Sequence, residues 1–519
     1  MRRSSILTIA AVSCILFAVA AIRLDRFSTP AAAQSAQPQP ASIPPGAQLT
    51  TTHPASPQLT PVSATLPLTK TADLPAPRSS STTLPIPGTN TELYTAHRGE
   101  TIPAVARQYL HRTGYLTSSE LADAIRQING GRNGNVLKNN EQITIPGILP
   151  APIVERTLPV PKDFEVRAIY LTGIMAASDH GLRIIRHWRE VGGNAVVFDI
   201  KDSDGSVNIP FEHPLLGKHQ VYIHDLPKFV HFLHSENMHA IARIAIFRDE
   251  RLVLGHPELA VQSRKNHQPW RENGKLVWTD SSNPTVQNYD IDLAKFVAQS
   301  GADEIQFDYV RFPAEGDQKD ASFVFQTQHP NWQRSDVITD FLKKAYAELH
   351  PTGVLLSLDV FGVMAWQRSV DLSHTGQDIV GMAKYCDVLS PMIYPSHFFG
   401  MDGIEHPGDA PEHFIGESMQ RFEMITKGSG VVIRPWLQAF RWRTRTYSPE
   451  YIKIQVATAK EKGGIGFLFW NAANDYSKPY EAMPEMKLAN EKENDKYFRG
   501  DELPSPTIKA SLIPVKANP

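Results

Sequence analysis

From residue 166 onwards the sequence repeats one pattern eight times: a short run of β-branched and aromatic residues, followed by an amphipathic helical stretch. This alternation predicts parallel strands joined by helical crossovers. Eight such units in one continuous segment predict an α/β protein with a (β/α)8 TIM barrel. The predicted strands are residues 166–173, 195–201, 240–247, 304–312, 354–362, 388–394, 431–440 and 465–471.

A doubly wound open sheet is the main alternative. That fold usually carries a glycine-rich phosphate-binding loop directly after its first strand, and the first predicted strand ends instead in Leu171-Thr172-Gly173. The pattern therefore favours the barrel. Helices are predicted near residues 179–191, 224–237, 285–300, 335–349, 376–385, 411–427 and 448–462.

The longest insertion, residues 248–283, follows the third predicted strand. It contains Asn273-Gly274 between Trp270 and Trp278. Asn-Gly is the dipeptide that tight β-hairpin turns prefer, so the sequence predicts a hairpin here.

The N-terminal part of the chain has a different composition. A basic start and the uncharged apolar run 6–22 predict an export signal, which is either cleaved or kept as a membrane anchor. The next segment, residues 28–90, contains 13 of the 40 prolines and three charged residues, a composition that predicts a disordered spacer. The predicted organisation is signal or anchor 1–27, linker 28–90, small domain 91–150, barrel domain 160–486 and flexible tail 487–519.

The small domain has its own strand-helix-helix-strand pattern. It opens with Tyr94 followed by Gly99-Glu100-Thr101, continues with two helical stretches, and closes with alternating Ile143 and Ile145 before Pro146. This segment resembles a LysM domain, although its inter-helix segment is long and Asn140 replaces a glycine. The resemblance implies binding of N-acetylglucosamine-containing glycans such as peptidoglycan. A spacer or protein-contact role is the alternative.

Carboxylates within apolar strands are the most informative residues of the barrel. Asp308 follows Ile305-Gln306-Phe307, Asp359 follows Leu355-Leu356-Ser357-Leu358, and Asp199 follows Val196-Val197-Phe198. Burying a carboxylate is costly, and the C-terminal strand ends of a barrel form its active site. Two facing carboxylates are what glycoside hydrolysis needs. Strand position favours Asp308 as nucleophile and Asp359 as acid; a structural hydrogen bond or helix cap is the alternative for each.

Other polar and aromatic residues near the strand ends are candidates for binding sugar rings. Arg311 has a second interpretation, as the ion-pair partner of Asp308, and Trp436 is better explained as core. His231 and His234 are expected on a solvated helix. The predicted substrate-binding residues are Asp199, Lys201, Arg311, Tyr394, His397, Trp366, Gln438 and Trp470.

The sequence predicts no cofactor and no metal site. Two cysteines exclude a cysteine-cluster metal site, the first strand lacks a His-x-His end, and no His-Glu-x-x-His pattern occurs. The formal net charge of -2 argues against nucleic acid as a partner. A membrane is expected to be contacted only by the N-terminal segment.

Several runs resemble the glycoside hydrolase-like family catalogued as domain of unknown function 4015 (DUF4015). They are Phe198-Asp199-Ile200-Lys201-Asp202, Gln306-Phe307-Asp308-Tyr309-Val310-Arg311-Phe312-Pro313, Asp359-Val360-Phe361-Gly362, Met392-Ile393-Tyr394-Pro395-Ser396-His397 and Phe467-Leu468-Phe469-Trp470-Asn471. The resemblance covers about residues 166–484. It implies a (β/α)8 barrel related to glycoside hydrolases, without defining the substrate or the catalytic pair.

Together these features predict an exported glycoside hydrolase of the cell envelope, periplasmic or otherwise extracytoplasmic, that acts on a polysaccharide or peptidoglycan-type glycan. The competing hypothesis is a non-catalytic glycan-binding or scaffold protein that retains the barrel. It expects carboxylates at the barrel mouth that are salt-bridged rather than free.

Overall fold

A closed barrel of eight parallel strands forms the main domain. The computed structural model describes residues 90–494. Each barrel strand pairs with the next around the ring, and the eighth pairs with the first. The strands, numbered one to eight, are Val166–Leu171, Ala195–Lys201, His239–Ala245, Glu304–Asp308, Leu355–Phe361, Val388–Met392, the interrupted pair Val432–Ile433 and Trp436–Gln438, and Gly466–Trp470. The barrel prediction is confirmed.

Helices cover the outside of the barrel and follow the strands in order. Several begin at side-chain caps and at proline in the first turn, as at Asn283-Pro284 and Ser448-Pro449. The helices of the barrel domain are Gly173–Ala176, Asp179–Glu190, Leu226–Ser235, Glu250–Gly255, Pro284–Gln299, Phe325–Gln328, Arg334–Leu349, Ser369–Thr375, Ile379–Met382, Pro411–Thr426, Pro449–Glu461 and Ser477–Asn494. The last helix, Ser477–Asn494, extends beyond residue 487, at which the predicted tail begins.

Side chains along each barrel strand alternate between two environments, the layer beneath the helices and the inside of the barrel. In strand four, Ile305 and Phe307 belong to the large apolar layer beneath the helices, whereas Asp308 lies among the inward-facing residues. The inner cluster is aromatic and aliphatic, and includes Tyr170 and Trp436. Because side chains of a strand alternate between faces, a carboxylate in an apolar run is directed into the barrel mouth.

The insertion after strand three contains the predicted hairpin. Glu272 and Lys275 exchange two backbone hydrogen bonds across the turn. Asn273 and Gly274 both have positive φ, 49° and 86°. Positive φ at both central residues is the requirement of a type I′ turn, and Asn-Gly meets it at low cost.

The small domain consists of strands Asn90–Thr95 and Gln142–Ile148, which pair antiparallel, and helices Ile102–Tyr109 and Ser118–Ile128. Its own core includes Ile102, Leu121, Ile125 and Ile143. Contacts join it to the barrel domain: the buried Lys228 ammonium donates to the carbonyls of Leu110 and Tyr115, and Arg186 pairs with Glu120. The small domain is therefore held against the outer helices.

Within residues 90–494, no helix combines the length and the apolar character needed to cross a membrane. The predicted signal or anchor, 1–27, and nearly all of the predicted linker, 28–90, lie outside the described residues.

A polar network closes the N-terminal end of the barrel. His234 Nε2 lies 3.0 Å from Asp303 Oδ2, and Glu155 Oε2 lies 2.7 Å from His231 Nδ1. Deeper in, Glu304 Oε2 contacts Arg434 Nη1 at 2.8 Å. The expectation of a solvated pair was wrong for His234, which is buried, because carboxylates on neighbouring segments hold its ring.

This network fixes the sign of a pH effect on stability. Burial disfavours the charged imidazole, but hydrogen bonds to Asp303 and Glu155 outweigh it and raise the pKa of His234 to about 9 from 6.5. Burial also disfavours the Glu155 carboxylate, yet hydrogen bonds from His231 and His234 lower its pKa to about 2 from 4.5. The His234 contribution is complete below pH 6.5 and is lost towards pH 9. The Glu155 contribution is complete above pH 4.5 and is lost towards pH 2.

We therefore expect Glu155→Gln to lower the free energy of unfolding by about 1–3 kcal/mol between pH 4.5 and 6.5, and by less at pH 9.5. Urea denaturation at the two pH values measures the difference. Glu190→Gln is the matched control, since Glu190 also pairs with a histidine but is exposed. An equal effect of both substitutions, or an effect of Glu155→Gln that grows with pH, would contradict this account.

Candidate active site

Three carboxylates meet at the C-terminal mouth of the barrel, around one guanidinium. Asp199, Asp308 and Asp359 come from strands two, four and five, and Arg243 comes from strand three. Arg243 Nη1 lies 2.5 Å from Asp199 Oδ1, and Nη2 lies 2.6 Å from Asp308 Oδ2. Arg243 Nε also donates to Asp308 Oδ2, at 3.2 Å. The guanidinium therefore bridges Asp199 and Asp308 directly.

Asp359 lies at the edge of this cluster. Its Oδ2 is 3.9 Å from Arg243 Nε, beyond hydrogen-bond distance. Its Oδ1 accepts a hydrogen bond from Trp436 Nε1 at 2.6 Å. Since Asp308 Oδ2 and Asp359 Oδ2 lie 3.2 and 3.9 Å from the same Arg243 nitrogen, their separation is at most the sum, about 7 Å. This upper limit is compatible with the carboxylate separations that glycoside hydrolysis requires.

Exposure and protonation distinguish the three carboxylates. The side chain of Asp308 is 11% exposed, against 1% for Asp199 and 1% for Asp359. Burial raises the pKa of Asp359 well above its ordinary value, and the charge of Asp308 raises it further, against the opposing effects of Arg243 and Trp436. Two carboxylates, Asp199 and Asp308, are thus held by a cation, and the third, Asp359, favours the protonated form.

The chain turns sharply after Asp308. Tyr309 has a φ of 57°, in the left-handed region that a tyrosine rarely adopts. Its backbone N–H donates to Asp308 Oδ1 at 2.6 Å. Asp308 therefore receives hydrogen bonds at both oxygens, which fixes the orientation of the carboxylate at the barrel mouth.

Aromatic rings line the same opening. Tyr170 and Trp470 stack with their ring centroids 4.1 Å apart, and Trp436 meets Trp470 edge-on at 5.6 Å. The Arg243 guanidinium lies 5.3 Å from the Trp470 ring, and the Tyr170 hydroxyl donates to Asp199. Tyr394 belongs to the same inner cluster as Tyr170 and Trp436, and burial is the largest of the effects that raise its pKa. Tyr170, Trp436 and Tyr394 are buried, and Trp470 is the ring of this group that is partly exposed.

Lys201 is not part of this site. A register shift between Asp199 and Lys201 marks a β-bulge, which redirects the side chain. The fully buried ammonium lies 3.0 Å from Asp249 Oδ2 and 2.7 Å from Asp290 Oδ1. Lys201 joins strand two to the insertion and to helix Pro284–Gln299, and has no free donor directed at the mouth.

Arg311 is not the ion-pair partner of Asp308; that partner is Arg243. The Arg311 guanidinium lies 4.4 Å from the Phe361 ring and 4.7 Å from the Trp278 ring. It donates to the carbonyl of Phe312. Its role in the structure is to pack the loop after strand four against the hairpin.

Two further predicted binding residues have structural partners instead. Trp366 packs on Phe398 and under Arg421, away from the carboxylates. Gln438 is fully buried, accepts from the backbone of Ser396 and donates to the carbonyl of Phe440. Gln438 therefore fastens the loops after strands six and seven to each other.

His397 does lie near the mouth. Its ring centroid is 5.0 Å from that of Tyr394 and 5.0 Å from that of Trp442. Nδ1 meets the Ser396 hydroxyl at 3.0 Å, whereas the buried Nε2 makes no hydrogen bond with any described residue. Burial and the positive charge of Arg443 lower the pKa of His397 to about 3, so the ring is neutral.

Sequence reasoning gave no role to Arg243 and favoured a core role for Trp436. The signal was present for Arg243, because a lone cation within Ala240-Ile241-Ala242-Arg243-Ile244-Ala245 needs a buried counter-charge as much as an aspartate does. No comparable signal exists for Trp436, whose indole N–H reaches Asp359 only through the closure of the barrel.

The family model described as "DUF4015: Putative glycosyl hydrolase domain" matches residues 168–476, more than half of the chain. The chain belongs to this family, and the prediction of a glycoside hydrolase is confirmed at that level. A search of the curated proteins finds no match.

Solved structures that are similar to parts of this chain include the following three. A hypothetical protein from Ruminiclostridium thermocellum ATCC 27405 is 36% identical and aligns over 37% of this chain and 97% of its own, with a TM-score of 0.33. The PgaB (BpsB) glycoside hydrolase domain from Bordetella bronchiseptica is 14% identical, over 62% and 99%, with a TM-score of 0.46. The spore cortex-lytic enzyme SleL from Bacillus megaterium QM B1551 is 13% identical, over 75% and 85%, with a TM-score of 0.36. The family assignment rests on the sequence match.

Proposed function

We propose that the protein hydrolyses O-glycosidic bonds with Asp359 as the general acid and Asp308 as the nucleophile. The observation that carries this proposal is the unequal environment of two neighbouring carboxylates. Asp308 is paired with Arg243 and is the more exposed, while Asp359 is buried with a raised pKa. Opposite protonation of two adjacent carboxyl groups is the requirement of glycoside hydrolysis.

The contacts of the two carboxyl groups support the following proposed steps. Trp436 donates to Asp359 Oδ1, so the carboxyl proton belongs on Oδ2. Asp359 Oδ2 gives this proton to the glycosidic oxygen as the bond from that oxygen to the sugar breaks. Asp308 attacks the anomeric carbon and forms a glycosyl ester. Asp359, now ionised, then takes a proton from the water that hydrolyses the ester.

Substitution of the two carboxylates should separate their roles. Asp359→Asn should slow hydrolysis of a natural glycoside by ~10²–10⁴-fold, and hydrolysis of a nitrophenyl glycoside by less, because a nitrophenolate departs without a proton. Asp308→Asn should abolish hydrolysis of both substrates. Wild-type activity should fall as pH rises through the raised pKa of Asp359, since the acid must be protonated. Release of reducing sugar and of nitrophenol across pH measures these effects.

Asp204→Asn is the control, because Asp204 is an exposed carboxylate in the loop after strand two. It should retain wild-type activity. Equal activity of wild type and Asp308→Asn, or no activity of either across a broad panel of envelope polysaccharides, would remove the catalytic assignment.

The upper limit on the carboxylate separation favours retention of configuration. Retaining enzymes place the two groups ~5–5.5 Å apart and inverting enzymes ~6.5–9.5 Å apart. The limit of about 7 Å derived above includes all of the first range and only the lower edge of the second. We therefore expect the first product anomer detected by NMR to have the configuration of the substrate. Initial release of the opposite anomer would assign Asp308 as a general base instead.

We propose further that residues 91–150 form a LysM-like glycan-binding domain and that the protein is exported to the cell envelope. An amino-sugar polymer such as peptidoglycan would be a ligand for this domain and a substrate for the barrel. The LysM-like sequence features motivate this proposal. The small domain has exposed apolar side chains, among them Val136 at 65% and Leu93 at 61%, that are available to a sugar ring.

Val136→Asp should weaken retention of the full chain on insoluble peptidoglycan, because a charged carboxylate replaces an apolar surface that a sugar would cover. Val154→Asp is the matched control, since Val154 is 63% exposed but lies after the small domain. Sedimentation with peptidoglycan measures retention. Equal sedimentation of both variants and wild type would leave the small domain as a spacer or protein contact.

One observation favours the non-catalytic alternative. Asp199 and Asp308 are both salt-bridged to Arg243, as a retained scaffold would have them. That alternative expects tight glycan binding without turnover by the wild-type chain. Turnover that disappears in Asp308→Asn decides between the two.

A further inference from the structure

An arginine-containing loop follows strand seven at the barrel mouth. It carries exposed Arg441 and Arg443 with Trp442 between them. The loop is continuous with the site, because Phe440 packs on Tyr394 at 5.6 Å and Trp442 packs on His397 at 5.0 Å. The loop therefore lies next to the carboxylate pair, on the side of strands six and seven.

The guanidinium groups of Arg441 and Arg443 have no acidic partner within residues 90–494. Among the described residues, neither Arg441 nor Arg443 makes a side-chain hydrogen bond or an ion pair. Arg443 rests against two rings instead, 4.0 Å from the centroid of Phe399 and 4.5 Å from that of Trp442. A guanidinium held on aromatic faces keeps its donors directed outward and available.

Hydrogen bonds and close packing fix the backbone of this loop. Asp409 Oδ1 accepts from the backbone N–H of Arg445 at 2.6 Å and from the Thr444 hydroxyl at 3.1 Å. Gly408 allows the two loops to touch, since a Cβ there would lie 2.1 Å from the Arg443 carbonyl oxygen. Asp409 is thus used to fix the backbone, and the nearby Asp402 is paired with His413.

We propose that Arg441, Trp442, Arg443 and His397 form a subsite for a carboxylate-bearing sugar, so that the substrate is an acidic glycan. This proposal rests on the proposed function and names its substrate class. Arginine binds carboxylates through paired charge-assisted hydrogen bonds. Trp442 offers a face for a sugar ring, and His397 packs on Trp442 and fixes its position. The shared ligand chemistry is a sugar carboxylate, either a hexuronate or the lactyl ether of an amino sugar.

The test compares carboxylated oligosaccharides with their carboxyl-reduced counterparts. The probes are a hexuronate oligomer and a muramic-acid-containing oligomer, each with its reduced form. The proteins are the full chain, the double variant Arg441→Gln/Arg443→Gln, and the control Arg156→Gln. Arg156 is an exposed arginine before strand one, near the opposite end of the barrel.

We expect wild-type kcat/KM to be at least ~10-fold higher on one carboxylated probe than on its reduced form. The double variant should lose this preference and keep the activity on the reduced form, and Arg156→Gln should behave as wild type. The responding probe identifies which carboxylated sugar is bound. No preference in wild type, or an unchanged preference in the double variant, would overturn the subsite.

Calorimetric titration of the same probes separates this proposal from catalysis. If no probe is hydrolysed, the proposed function fails, and the subsite is still judged by binding. Tighter binding of a carboxylated probe by wild type than by the double variant supports it. Equal binding by the two proteins, or equal binding of carboxylated and reduced probes, rejects it.

Discussion

The Arg243 guanidinium is the interaction on which the active-site end of the barrel depends. Without a cation, three aspartates from strands two, four and five could not all converge in a mouth that is nearly closed to solvent. Arg243 binds Asp199 and Asp308 directly and so offsets the cost of burying both carboxylates. Burial disfavours the guanidinium charge, but these two carboxylates outweigh it and raise the pKa of Arg243. Asp359 lies outside hydrogen-bond distance of this cation and favours the neutral form. A single buried cation thus creates the difference between the two neighbouring carboxylates, Asp308 and Asp359.

The barrel interior carries charge at both ends and an apolar middle. Glu304, Arg434 and His239 form the ionic layer at the N-terminal end, and Arg243 with its carboxylates forms the other. Such layers contribute little net stability, because the desolvation cost of buried ions offsets their attraction. The helix-covered outer layer, with residues such as Phe198, Phe307 and Leu358, supplies the apolar burial that folding requires. This division leaves the inner residues at the mouth free to be selected for chemistry.

The fold was predictable because its signal is local and repeated. All eight strands lie where their apolar runs predict them, and the hairpin follows from Asn273-Gly274. The aspartates were predictable because a carboxylate within an apolar strand is costly. The positions of the Lys201 and Arg311 side chains were not predictable from the sequence. A bulge redirects Lys201, and a strongly turned segment that begins at Tyr309 carries Arg311 away from Asp308. Both depend on backbone details that side-chain alternation does not encode.

Negative and positive side chains lie on different sides of the barrel mouth. The carboxylates come from strands two, four and five, whereas the unpaired arginines follow strand seven, with Tyr394 and Trp442 between the two groups. An acidic sugar would be repelled from the carboxylates and attracted to the arginines, so the carboxylate-bearing ring and the ring under attack would occupy different positions. Specificity for an acidic glycan would then require no change in the catalytic pair. Arg243 and the loop arginines would perform separate tasks: Arg243 would hold the carboxylates in place, and the loop arginines would set the register of the bound glycan.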